Sequence, residues 1–185
     1  NQSKISLAIK YFNEALSIYE NSIIPDDINY IVKPNYLLGI AHFKNNNLDL
    51  SKKYFSKALS LYYEYNDDKT LEASILSWLL ILDKTKINEN SDKILTLIKG
   101  KTEDDFDWTQ SGYRKNIPII YFNLYKAFSR EKDSENSYKY LKTAYDIIIK
   151  QSNVYTFIEA KNSFINNNSF HKEIVEEYNK VFKTK

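Results

Sequence analysis

The sequence predicts an all-α fold, an α-solenoid of antiparallel helix pairs with a capping helix at the C-terminus. Three observations carry this expectation. The stretch YFNEALSIY at 11–19 returns as YFSKALSLY at 54–62, with six of nine letters identical at an offset of 43 residues, and self-similarity at such a period marks stacked repeats. Apolar residues fall three and four apart along most of the chain, the spacing of one helical face. The 185 residues include three Gly and three Pro, too little turn-forming material for a many-stranded sheet.

The opening segment sets Ile5, Ala8, Ile9, Phe12, Ala15, Leu16 and Tyr19 on one face, so residues 3–21 form an amphipathic helix. Residues 1–22 read as the second helix of a repeat begun upstream, and the chain as a piece of a longer protein. A complete repeat follows at 32–65. Its first helix, PNYLLGIAHFKN at 34–45, is opened by a proline, which a first helical turn tolerates because the missing N–H has no partner there. The polar turn NNNLD leads into a second helix bearing Leu50, Tyr54, Phe55, Ala58, Leu59 and Tyr62.

Residues 69–100 hold a degenerate repeat, with a helix near 69–84 and a shorter one near 91–99 closed by Gly100. Residues 101–116 have no helical period and read as a loop between repeats. The last full repeat spans 117–150. It has PIIYFNLYKAFS at 118–129, the turn REKDS, and a helix with Tyr138, Leu141, Ala144, Tyr145 and Ile148. Terminal helices occupy 151–185, and the last of them, carrying Phe170, Ile174, Val175, Tyr178 and Phe182, covers the open end of the stack. Ala15, Ala58 and Ala144 each stand three places after a large residue, Phe12, Phe55 or Leu141. Small beside large lets two helices approach closely while the bulky neighbour fills the groove.

Composition narrows the function classes. The 26 basic and 24 acidic residues are interspersed, the formal charge is +2 and no basic run reaches five, which argues against a nucleic-acid partner. The longest apolar run, SILSWLLIL at 74–82, is interrupted by Ser77 and falls well short of the roughly 20 residues of a membrane span. The absence of Cys excludes disulfides, thiolate metal sites and a cysteine nucleophile, and suits a reducing compartment, so a cytoplasmic location is expected.

Nothing in the chain has the form of a nucleophile elbow, a phosphate-binding loop or a dinucleotide fingerprint, so no catalytic residue and no cofactor is expected. Two histidines without cysteines make no usual zinc set, and no metal is expected. His42 falls on the face that packs against the neighbouring helix, and His171 stands near the start of the terminal helix. The cluster Glu103, Asp104, Asp105 and Asp107, interleaved with Phe106 and Trp108, lacks the alternating ligands, turn glycine and closing Glu of a calcium loop. It reads as a solvated loop or a helix cap.

Across most of its length the chain resembles tetratricopeptide repeat proteins. Asn35, Leu38, Gly39, His42, Ser51, Phe55 and Ala58 stand at the positions of that repeat's pattern, as do Tyr121, Leu124, Tyr125, Phe128, Ser137, Leu141 and Ala144. Gly39 to Ser51 and Tyr125 to Ser137 are equally spaced, so both turns have the same length. Asn35 and Tyr121 replace the usual Trp, and the period of 43 exceeds the usual ~34, most simply by longer helices. The last stretch, with Ser163, Phe164, Ile165, Asn167 and Ile174, resembles the end of the array in multidomain bacterial regulators that carry a kinase or nucleotide cyclase and an ATPase module.

The resemblance implies a superhelix whose concave surface, lined by the first helix of each pair, binds a protein or peptide. It places Tyr36, Ile40, Phe43, Lys44, Phe122, Lys126, Ser129 and Arg130 on that surface. Aromatic residues with basic rims would suit a peptide carrying apolar anchors and acidic groups. The alternative is that Tyr36, Ile40 and Phe122 pack against elongated neighbouring helices. Tyr36 and Ile40 also stand where some such domains clamp a carboxylate with Lys and Asn, which disfavours a chaperone-tail adaptor. The expected role is a non-catalytic scaffold in a larger bacterial signalling protein, binding a partner or restraining an upstream catalytic domain of the same chain. The alternatives are a stand-alone receptor for a small signalling peptide and a structural module that self-associates.

Overall fold

Nine α-helices and no strand form among the residues described by the computed structural model, 2–20, 29–65, 69–83, 85, 87–100 and 116–183. They are α1 (Gln2–Glu20), α2 (Asn29–Lys44), α3 (Leu48–Tyr65), α4 (Lys69–Leu82), α5 (Ile87–Ile98), α6 (Ile117–Arg130), α7 (Ser134–Ser152), α8 (Ile158–Asn166) and α9 (Ser169–Phe182). Each packs on its neighbours in the manner of a helical solenoid. α1 lies on α2, α2 on α3, α3 on α4, α4 on both α5 and α6, and α6 on α7. The acidic and aromatic stretch from Glu103 to Trp108 lies outside the described residues.

Pro34 does not open its helix, as its position in the sequence suggested, but lies inside α2. A proline there removes one backbone donor and crowds the preceding turn. The side-chain amide of Asn35 donates to the Ile31 carbonyl at 2.8 Å in that same turn. Val32, fully buried, already belongs to the packed face, so burial carries the helix through the proline. Pro118, in contrast, stands in the first turn of α6. α5 likewise starts earlier than its apolar spacing indicated, because Ile87 is buried and adds a turn.

The two interhelix turns of equal length have one geometry. Asn46 and Lys132 take positive φ, 60° and 61°. In each turn the next residue reaches back to close the helix, Asn47 N–H to the His42 carbonyl at 2.9 Å and Asp133 N–H to the Phe128 carbonyl at 3.1 Å. Both are left-handed C-caps that satisfy carbonyls the helix end would leave open. Asp133 then caps α7 by accepting from Asn136 N–H at 3.0 Å. Gly100, at φ 76°, ends the α5 segment in the left-handed region that favours glycine.

Two apolar clusters form the core. One surrounds Trp78, with Val32, Tyr36, Phe55, Ala58 and Ile75; the other runs from α4 to α9 through Ile94, Ile120, Leu124, Leu141 and Ile174. Phe55 stacks on Trp78 with ring centroids 5.6 Å apart. Ala58, Ala144 and their large neighbours Phe55 and Leu141 are fully buried, while Ala15 and Phe12 in α1 are half-buried. The terminal helix does cover α7, where Tyr178 stacks on Tyr145 at 3.8 Å. Its first turns also reach further, to α2, α4 and α6.

Candidate binding face

The first helices of the pairs, α2, α4 and α6, present neighbouring faces, and the C-terminal helix lies across them. Lys44, the last residue of α2, hydrogen-bonds Ser169 Oγ and holds its ammonium 3.8 Å from the centre of the Phe170 ring. Burial lowers the Lys44 pKa, with Glu173 acting in the opposite sense and Lys126 reinforcing it. Phe170 meets Trp78 of α4 edge-on at 5.8 Å. On α6, Lys126 pairs with Glu173 at 2.7 Å, and the Tyr125 hydroxyl donates to Glu177 at 2.6 Å. The Tyr125 phenol is pushed up to about 12, first by burial and then by its bond to the Glu177 carboxylate.

The residues assigned to the concave surface therefore separate. Lys44 and Lys126 reach the face and touch α9, and Phe43 stands beside them, edge-on to Trp78 at 5.0 Å. Tyr36 and Phe122 lie in the core, 3% and 2% exposed. The Tyr36 hydroxyl shares a hydrogen bond with Ser74 Oγ at 2.7 Å, and Phe122 stacks on Tyr125 at 5.6 Å with Lys126 above its ring at 4.3 Å. Arg130 clamps the end of α4, donating to the Ile81 and Asp83 carbonyls at 3.0 and 3.4 Å. Ser129 is exposed at the rim.

Ile40 lines a groove of about 370 Å³ together with Ile5, Ala8 and Phe12 of α1 and Leu37 of α2. Lys4 and Lys44 stand at its edges, and Ser169 and Phe170 close one side. The groove is apolar with two cations at the rim, an arrangement able to take an apolar anchor from a segment bearing acidic groups.

Neither histidine lies on this face. His42 stacks on Tyr54 at 5.2 Å, between α2 and α3, and burial lowers its pKa. His171 is buried at the elbow between α8 and α9, with Nδ1 3.2 Å from the Phe164 carbonyl and Nε2 3.3 Å from the Asn168 amide nitrogen. That carbonyl can only accept, so Nδ1 carries the proton and Nε2 accepts from Asn168. Among the described residues no group of three His, Cys, Asp or Glu could hold a metal ion, and no helix is long and apolar enough to cross a membrane.

The sequence reading missed the α9 contribution of Ser169, Phe170, Glu173 and Glu177. The available signal was the i, i+3, i+7 spacing of Phe170, Glu173 and Glu177, which sets an aromatic and two carboxylates on one stripe. That stripe is distinct from the stripe through Ile174, Tyr178 and Phe182.

The fold is an all-α helical repeat of tetratricopeptide-like architecture. The family model for the tetratricopeptide repeat matches residues 32–65, which cover α2 from Val32 onward and all of α3. No curated protein and no solved structure matches the chain. Repeats of this kind mediate protein–protein interaction and are typically non-catalytic.

Proposed function

We propose that the chain is a non-catalytic scaffold that binds a protein or peptide on the face shared by α2, α4 and α6. The observation that carries this reading is the grouping of Phe43, Lys44 and Lys126 about the start of α9, with Lys44 also bordering the apolar groove between α1 and α2. Aromatic surface with cations at its edge suits an apolar anchor flanked by acidic groups. We place this scaffold in the cytoplasm, as the C-terminal interaction or regulatory region of a larger bacterial signalling protein. The likeness of Ser163, Phe164, Ile165, Asn167 and Ile174 to the end of such arrays supports that setting. An upstream catalytic domain of the same chain is then a natural partner.

Selection of peptides from a displayed helical library on the 185-residue chain tests the binding reading. Selected peptides should be rich in aromatic and acidic residues and should lose affinity to Lys44→Glu and Lys126→Glu. Peptides that ignore both substitutions would refute it. A second reading, self-association, draws on α1, where Leu7, Tyr11 and Ile18 are 49%, 57% and 67% exposed. A mass that rises with concentration in light scattering, and falls on Tyr11→Lys, would favour that reading.

A further inference from the structure

We propose that the N-terminal part of α9, through Glu177, acts as an internal ligand of this face, and that the external partner it fits is an amphipathic helix repeating its pattern. That pattern is an aromatic anchor followed by carboxylates three and seven residues later. The inference rests on the reading of the face as a binding surface and specifies what the surface recognises.

The complementarity is residue by residue. Phe170 sits between the Lys44 ammonium and the Trp78 ring. One turn on, Glu173 meets Lys126 at 2.7 Å, and one further turn on, Glu177 accepts from Tyr125 at 2.6 Å. Three successive turns of one helical stripe thus address α2 with α4, then α6 twice. An aromatic under a cation and two charge-assisted bonds are the contacts by which a surface distinguishes one helix from another.

The occupant is held lightly. Of the 14 residues of α9 only His171 and Ile174 are buried, and α8, which leads into it, has no buried residue. α6, of the same length as α9, buries ten. Helices with so few buried side chains open at low cost compared with the core. The fit is also incomplete, because the apolar groove of about 370 Å³ beside Phe170 remains unfilled by α9. A partner helix with a second apolar side chain for that groove, between Ile5, Phe12 and Ile40, makes contacts that α9 lacks.

Together these features make α9 a competitor that sets the threshold for binding. A partner must displace its first turns, and its apparent affinity is reduced by the fraction of molecules in which α9 is seated. Tyr178 and Phe182, in ring contact with Tyr145 and Tyr138 of α7, keep the end of the helix tethered nearby after its first turns lift away.

The test uses the full chain and a fluorescent peptide with the sequence of residues 167–183. The peptide should bind the unmodified chain poorly. It should bind the Phe170→Ala, Glu173→Ala chain about tenfold more tightly or better, because the internal copy no longer competes. Adding Lys126→Glu to that chain should abolish the gain. Hydrogen exchange on the doubly substituted chain should show faster exchange in α9 with α4 and α6 unchanged, which establishes that the fold is intact. Equal affinity for both chains, or no binding to the loosened one, overturns the proposal. If library-selected peptides still depend on Lys44 and Lys126 while the 167–183 peptide does not bind, the face remains a binding surface and only the internal-ligand inference falls.

Discussion

Gly39 marks the closest approach of α2 to α3. A Cβ built there meets the Phe55 ring at 2.7 Å, and the Gly39 carbonyl accepts from Ser51 Oγ at 2.8 Å, so the α3 side chain ties directly to the α2 backbone. Phe55 cannot yield, being fully buried and flanked by Trp78 at 5.6 Å and Tyr36 at 5.9 Å. Gly39→Ala gains about 1 kcal/mol of helix propensity but forces an overpacked core, which costs about 1–3 kcal/mol. We expect a net loss, read as a lower urea midpoint with an unchanged slope; an equal or higher midpoint would show that the ring moves freely. Both partners of this contact were legible in the sequence, because the repeat pattern puts glycine and a large residue at fixed positions. The burial of Tyr36 and Phe122 was one of two readings the sequence left open. Helical register assigns a residue to a face, but whether that face meets solvent or a neighbouring helix is decided by elements far away. Lys44 and Ser169, bonded here, lie 125 residues apart.

At the scale of elements, the helices that carry regular apolar spacing and a polar turn were readable, and those whose limits depend on packing were not. α2 runs through Pro34 because burial of Val32 outweighs a lost backbone bond, and the contacts of α9 with α2 are invisible to local periodicity. The α8–α9 elbow is sensitive to pH. Asn168 Oδ1 caps α9 by accepting from Phe170 N–H at 2.9 Å and His171 N–H at 3.3 Å, which turns its NH2 toward His171 Nε2. A protonated His171 would set two donors against each other, and rotating the amide would break the cap. Burial lowers the His171 pKa, with the Phe164 carbonyl acting weakly the other way. A histidine with a depressed folded pKa stabilises the docked state fully above its ordinary value of about 6.5 and loses that contribution as pH falls toward the folded value. Protection of the α9 amides, corrected for the intrinsic exchange rate at each pH, should therefore fall below about pH 6.5, and His171→Gln should remove that fall. A profile unchanged by that substitution would assign the effect to another group.

At the scale of the molecule, stability in a solenoid is close to a sum over neighbouring elements, so opening proceeds from the least supported units. Burial is uneven along this chain. α4 and α6 are packed on several sides, with Leu71, Ile75, Trp78, Ile120, Phe122 and Leu124 at 0–2% exposure. At the ends, α1 has Leu16 as its one buried residue, and α8 has none, with its cap residue Phe157 and its first residue Ile158 at 73% and 62% exposure. The face that holds α9 spans the well-packed middle, while α9 itself belongs to the lightly packed end. A rigid receiving surface and a loose occupant are what displacement requires, since the occupant can leave without costing the surface its shape. Native-state hydrogen exchange should resolve this order. Amides of α8 should exchange first, those of α9 and α1 next, and those of α4 and α6 last, with protection in α6 exceeding that in α8 by about a hundredfold or more, as expected when opening ranges from local fraying to global unfolding. Uniform protection from α1 to α9 would mean that the chain opens as one unit, and α9 could then leave its seat only when the receiving face unfolds with it.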